Sequence, residues 1–189
     1  LYNTVETHVL TANVPTFLRN LAAPGTTLHP NSGFVPIVGI NANDSGRAPV
    51  SLRSVRLLVR GTSGTFAPSD LTPQSHATTP GLALWRDSNG NGMFDPANDA
   101  RLTLADTGWS AVANGYEYYL TPVNAADDAP VPDNNTGSNA GNDFFITLAT
   151  SDTFDKGEGI IATINPQHNN QGILYSSGAC NESTLSYST

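Results

Sequence analysis

A single cysteine, Cys180, stands among the 189 residues, so no internal disulfide forms. Zinc ribbons, CxxC redox motifs and covalent haem attachment are excluded with it. An inert thiol and an intermolecular disulfide are its two readings. Lysine is reduced to Lys156, and charged residues make up 13% of the chain, against a usual share of about 25%. The net charge is −8, the wrong sign for a nucleic-acid footprint or a polybasic membrane surface. No apolar run approaches the length that spans a bilayer, so membrane insertion is not expected. Helical periodicity is nearly absent too. The best window, Thr16 to Ala22, allows two turns at most before Pro24-Gly25.

Strand signals fill that gap. Phe34–Ala42 is apolar and β-rich, with Pro36 marking a strand start or an edge. Between Val50 and Arg60 the alternation slips: Val50 and Leu52 share one parity, while Val55, Leu57 and Val59 take the other. A bulge near Arg53-Ser54 restores the phase. Shorter alternating runs follow at Gly81–Arg86, Tyr116–Leu120, Phe144–Ala149, Ile160–Ile164 and Gly172–Tyr175. With Thr4–Val14 they make about eight or nine strands bounded by Gly, Pro, Asn and Asp. The reading is all-β: one antiparallel β-sandwich of jelly-roll or immunoglobulin-like type, spanning 1–189 as a single domain. No crossover helices are present for a parallel βαβ sheet. The chain opens at Leu1 and reads as a processed mature chain or an excised domain.

One segment carries chemistry. In Asp87-Ser88-Asn89-Gly90-Asn91-Gly92-Met93-Phe94-Asp95-Pro96-Ala97-Asn98-Asp99, side-chain oxygens fall at relative positions 1, 3, 5 and 9, with glycine at 6. This is the spacing that wraps hard oxygen ligands around Ca²⁺. Asp87, Asn89, Asn91 and Asp95 supply side-chain oxygens, Met93 its carbonyl, and Asp99 the late acidic ligand. Position 12 holds Asn98 where an EF-hand has Glu, Pro96 lies inside the loop, and no helix follows, so the match covers the first half only. Three carboxylates and two amides predict affinity in the extracellular range, about 10⁻⁴–10⁻³ M or somewhat tighter. A bare turn built on the two Asn-Gly pairs is the competing reading. A second calcium site is sought among Asp127, Asp128, Asp133 and Asp143 in the long polar stretch, and a weaker one at Asp152, Asp155 and Glu158.

The stretches "LALWRDSNGNGMFDPAND", "DFFITLATS" and "GIIATINP" resemble a calcium-binding β-sandwich module of large secreted bacterial and archaeal surface proteins. The resemblance covers roughly residues 34–165, and the loop is its most specific part. In architecture the whole is similar to subunits of extracellular filaments and tubules such as archaeal cannulae and TasA-like fibres. That resemblance implies an extracellular, self-assembling structural subunit whose partners are copies of itself. A strand at 1–15 would be exchanged between neighbours, and 176–189 is a polar tail. A calcium-dependent adhesion or carbohydrate-binding module is the alternative, with Tyr116, Tyr118, Tyr119 and Trp109 as a sugar-stacking face. Sequons at Asn43, Asn134 and Asn181 leave glycan attachment open on a secretory route. No nucleophile elbow, HExxH, P-loop or dinucleotide fingerprint occurs, and Glu117 is expected on a solvent face, so catalysis is not expected.

Overall fold

The computed structural model describes residues 16–17, 28–40, 42–43, 50–62, 66–131, 143–154, 159–164, 172–176, 178–179 and 185–188. Its strands are β1 (Thr16–Phe17), β2 (Val35–Ile40), β3 (Ala42–Asn43), β4 (Leu52–Gly61), β5 (Leu82–Arg86), β6 (Ala100–Arg101) and β7 (Ser110–Val112). After these come β8 (Gly115–Leu120), the helical turn α1 (Ala125–Asp128), β9 (Phe144–Leu148), β10 (Ile160–Ile164), β11 (Ile173–Tyr175), β12 (Gly178–Ala179) and β13 (Leu185–Ser188). All pairings are antiparallel. β1 and β3 form a two-stranded sheet; of the two larger sheets, one runs β2-β9-β5-β6 and the other is built on β4. The two sheets pack face to face as a β-sandwich.

β4 is central because its ten residues carry the longest apolar alternation. One edge takes β8, which in turn holds β7. The other edge takes β11 along its first half and β10 along its second. The expected bulge is present. Leu174 pairs with Ser54 and Tyr175 with Leu52, so Arg53 is the extra residue. It is exposed, and the skip lets Leu52, Val55, Leu57 and Val59 all point inward at 0% exposure. Side chains alternate along a strand, so without the bulge either Leu52 or the other three would face outward. Pro36 behaves as anticipated: β2 is an edge of its sheet, and its register shifts beside the proline.

Between the sheets lies one apolar cluster, formed by inward residues of β2, β4, β5, β8, β9, β10 and β11. A smaller cluster covers the outer face of the four-stranded sheet: Ala83, Trp85 and Phe145, with Phe34 and Phe94 packed on it. This is why all five residues of β9 are buried, although alternation predicts one wet face. The Trp85 indole N–H donates to Thr147 Oγ1 at 2.9 Å, satisfying both groups where water is excluded.

The larger sheet also departs from simple alternation on its outer face. Glu117 is buried, not solvated, at 5% exposure. Arg56 reaches it from the neighbouring strand, with Nη2 to Oε2 at 2.6 Å, and the same guanidinium lies 5.6 Å from the Tyr119 ring centre. A charge pair on a sheet face is thus removed from water by its own strands.

The helical window at Thr16 begins as strand, since Thr16 and Phe17 pair with Asn43 and Ala42. β-branched Thr16 and aromatic Phe17 favour the pleated backbone once a partner strand is present. β13 pairs with β10 of its own chain. Residues 1–15, expected as an exchanged strand, lie outside the described residues. So do the sequons' Asn134 and Asn181, while Asn43 lies in β3. No helix among the described residues is long and apolar enough to cross a membrane.

Candidate metal centre

The Asp87–Asp99 loop leaves the end of β5 and returns into β6. Its first half is wound around Asp87. One carboxylate oxygen of Asp87 accepts the Gly90 N–H at 2.8 Å and the other the Gly92 N–H at 2.6 Å. Asn89 Oδ1 accepts the Asn91 N–H at 3.0 Å, and Asn91 Oδ1 the Met93 N–H at 2.7 Å. Gly90 and Gly92 have φ of 68° and 71°, left-handed values that other L residues adopt at a cost. Side-chain oxygens at 87, 89 and 91 are therefore drawn toward the loop's own amides on the inside of the curl. Each retains further lone pairs for a cation.

A single helical turn forms the second half. Asp95 caps it: its Oδ1 accepts the Ala97 N–H at 3.0 Å, and its carbonyl accepts the amides of Asn98 and Asp99 at 3.0 and 2.7 Å. Pro96 fits as the first residue of this turn, where no N–H is required. The turn carries Asp99 back so that its Oδ2 accepts the Asp95 N–H at 2.7 Å. That accounts for the acid at position 13 in place of 12. A tight turn brings the Asp99 carboxylate back to the loop.

Asp99 is the singular group. It is 8% exposed, and its Oδ1 has no hydrogen-bond partner. Burial pushes its carboxyl above the usual carboxylate range, opposed by the Asp95 and Ser88 amides and reinforced by the neighbouring charges of Asp87 and Asp95. Partly exposed Asp95 moves the other way, held below its ordinary value by the hydrogen bonds from the Asn98 side chain and the Ala97 amide. A buried carboxylate under the repulsion of two neighbouring acidic residues is unfavourable by itself. Among the described residues, no three acidic, imidazole or thiol side chains converge on one point. A cation here would need amide and main-chain oxygens alongside the carboxylates, the donor set that suits Ca²⁺.

Sequence reasoning assigned Asp143 to a different cluster. Pairing of β5 with β9 continues one residue past β5, and the Asp87 N–H donates to the Asp143 carbonyl at 2.9 Å. Asp143, 6% exposed, thus sits at the foot of the loop. Only long-range strand pairing reveals it. Of the other residues sought for a second site, Asp127 and Asp128 lie on α1, with Asp127 exposed, and Asp133 lies outside the described residues. Asp152 is exposed, and Asp155 and Glu158 lie outside the described residues.

Phe94 fastens the loop to the fold. Its ring meets Trp85 edge-on at 5.3 Å and Phe145 at 5.7 Å, while Trp85 also meets Phe34 at 4.9 Å. Met93 beside it is 69% exposed. Of the four rings considered for sugar stacking, Tyr118 is wholly buried, and Trp109 and Tyr116 pack against the core. Tyr119, at 38% exposure, stands alone at the surface. A flat aromatic platform is not formed. No family model, characterised protein or solved structure matches the chain.

Proposed function

We propose that this chain is a structural module working outside the cell: a β-sandwich whose Asp87–Asp99 loop is stiffened by Ca²⁺ and which assembles with copies of itself into a filament, tubule or surface layer. The observation that carries the reading is the buried, unpartnered oxygen of Asp99 in a loop already lined by oxygens. Asp87, Asn89, Asn91, Asp95 and Asp99, with the Met93 carbonyl, would hold the ion. When bound, Ca²⁺ supplies positive charge and no redox or acid–base chemistry. Its role is to lock loop conformation and so the end of β5.

The expected affinity supports an extracellular setting, because sites of about 10⁻⁴–10⁻³ M fill only where calcium is millimolar. Low charge and a lone cysteine agree with that setting. Assembly is supported by β2. Among the described strands it pairs on one side only, and its sequence Val-Pro-Ile-Val-Gly-Ile is apolar. Such an edge is a template for a strand from another copy. The β-prone segment 1–15 is the proposed donor.

Negative-stain microscopy of the purified chain in millimolar calcium, and then in chelator, tests the reading. Filaments or tubes that appear with calcium and fray without it are the expected result, and deleting residues 1–13 should abolish them while the sandwich stays folded. Dispersed monomers under both conditions would overturn the assembly reading.

A further inference from the structure

An asparagine followed by glycine is chemically labile. The glycine nitrogen, after losing its proton, attacks the asparagine Cγ. A C–N bond forms, ammonia leaves, and water reopens the cyclic imide as aspartate or isoaspartate. Glycine favours the step because no Cβ obstructs the approach. Three such pairs occur: Asn89-Gly90, Asn91-Gly92 and Asn114-Gly115. All three asparagines are exposed, so water reaches each.

We propose that Asn89 and Asn91 are spontaneous deamidation sites held in check by one carboxylate, Asp87. Both attacking nitrogens donate their N–H to it, Gly90 at 2.8 Å and Gly92 at 2.6 Å. A nitrogen whose proton is held in a charge-assisted bond is slow to give it up. The adjacent negative charge also opposes the anionic nitrogen that must attack. The side chains are tethered as well: Asn89 Oδ1 accepts the Asn91 N–H and Asn91 Oδ1 the Met93 N–H, which restricts the rotation that would bring each Cγ onto its own following nitrogen. Asn114 has no link to Asp87; it lies in the two-residue turn between β7 and β8.

The products differ in consequence, and this step alone rests on the calcium reading. Aspartate at 89 or 91 keeps the ligand spacing and adds charge. Isoaspartate places an extra carbon in the backbone and destroys the spacing. Loss of the Asp87 contacts therefore starts an irreversible change in the loop's ligand set.

The test is peptide mapping by mass spectrometry of the full chain aged at mildly alkaline pH in chelator. Calcium is absent throughout, so the outcome does not depend on metal binding. Folded wild-type chain should deamidate at Asn89 and Asn91 at least about tenfold more slowly than urea-unfolded chain, the value of one charge-assisted hydrogen bond. Asp87→Ala should lose that protection at both positions while the rate at Asn114 stays as in the wild type. Asp87→Asn, which keeps the shape and one acceptor oxygen, should fall between. Equal rates in folded and unfolded wild type, or protection that survives both substitutions, would overturn the proposal.

Discussion

Replacing Asp99 by asparagine should change the sign of its effect according to whether calcium is present. In the metal-free chain the Asp99 carboxylate is 8% exposed with one orphaned oxygen, and Asp87 and Asp95 repel it. A buried unsatisfied polar group costs about 1–3 kcal/mol. Asparagine keeps an acceptor for the Asp95 N–H and removes the charge, so Asp99→Asn should stabilise the metal-free chain by about 1 kcal/mol. In a domain of this size that raises Tm by about 2–4 °C. With calcium at a hundredfold excess over Kd, the wild type gains about 2.7 kcal/mol by linkage. The variant, lacking a charged ligand, should lose most of that gain and melt below the wild type by about 1–2 kcal/mol.

The pH dependence of the same pair gives an independent check. Asp99's folded pKa lies above its unfolded value near 3.8, so the folded metal-free state binds more protons in between. Its stability from this group falls as pH rises through that interval and recovers as pH drops. The metal-free advantage of the variant should therefore shrink toward zero as pH falls to the unfolded value. Scanning calorimetry of both proteins in calcium and in chelator, at several pH values, reads all of this. Equal destabilisation by Asp99→Asn in both conditions would refute the reasoning.

Substitutions at three further places probe the sandwich that carries the loop. Phe94→Ala removes two edge-on ring contacts, each worth about 0.5–1.5 kcal/mol beyond area burial; urea unfolding should show a loss of about 2–3 kcal/mol, and calorimetry a weaker response to calcium. For the buried pair on the larger sheet, Glu117→Gln or Arg56→Met alone should cost about 3–5 kcal/mol, whereas Arg56→Met with Glu117→Leu should be close to neutral; a double-mutant cycle with no coupling would contradict the pairing. Gly81→Ala would place a methyl group against the Thr72 carbonyl and Leu71 Cβ, and overpacking against backbone predicts a loss of about 1–3 kcal/mol, read from the urea midpoint.

Strand positions were legible because the apolar alternation is local. The slip at Arg53 even located the bulge, since a one-residue change of parity has few physical solutions. What alternation hides is the second coat on a sheet. Phe145 and Glu117 both occupy outward positions, yet one lies under Phe94 and the other is sealed by Arg56. Those coverings come from residues distant in sequence. The loop's spacing of side-chain oxygens was readable for the same reason the strands were: it is set by neighbours along the chain. The position of Asp99 was only partly readable. Its separation from Asp87 suggested a misfit to the EF-hand pattern, and the helical turn begun at Pro96 resolves it. Asp143's place beside Asp87 follows from a pairing across the sheet that no local pattern encodes.

The central claim is that the Asp87–Asp99 loop binds Ca²⁺ and thereby holds the sandwich's β5 end. Thermal unfolding of the full chain, demetallated and then scanned in chelator, in millimolar magnesium and in millimolar calcium, tests it most directly. At the expected Kd of about 10⁻⁴–10⁻³ M, the account predicts that millimolar calcium raises Tm by about 1–6 °C, that magnesium raises it far less, and that Asp99→Asn abolishes most of the calcium increment. Superimposable melts in all three conditions, from protein shown to begin metal-free, would contradict it.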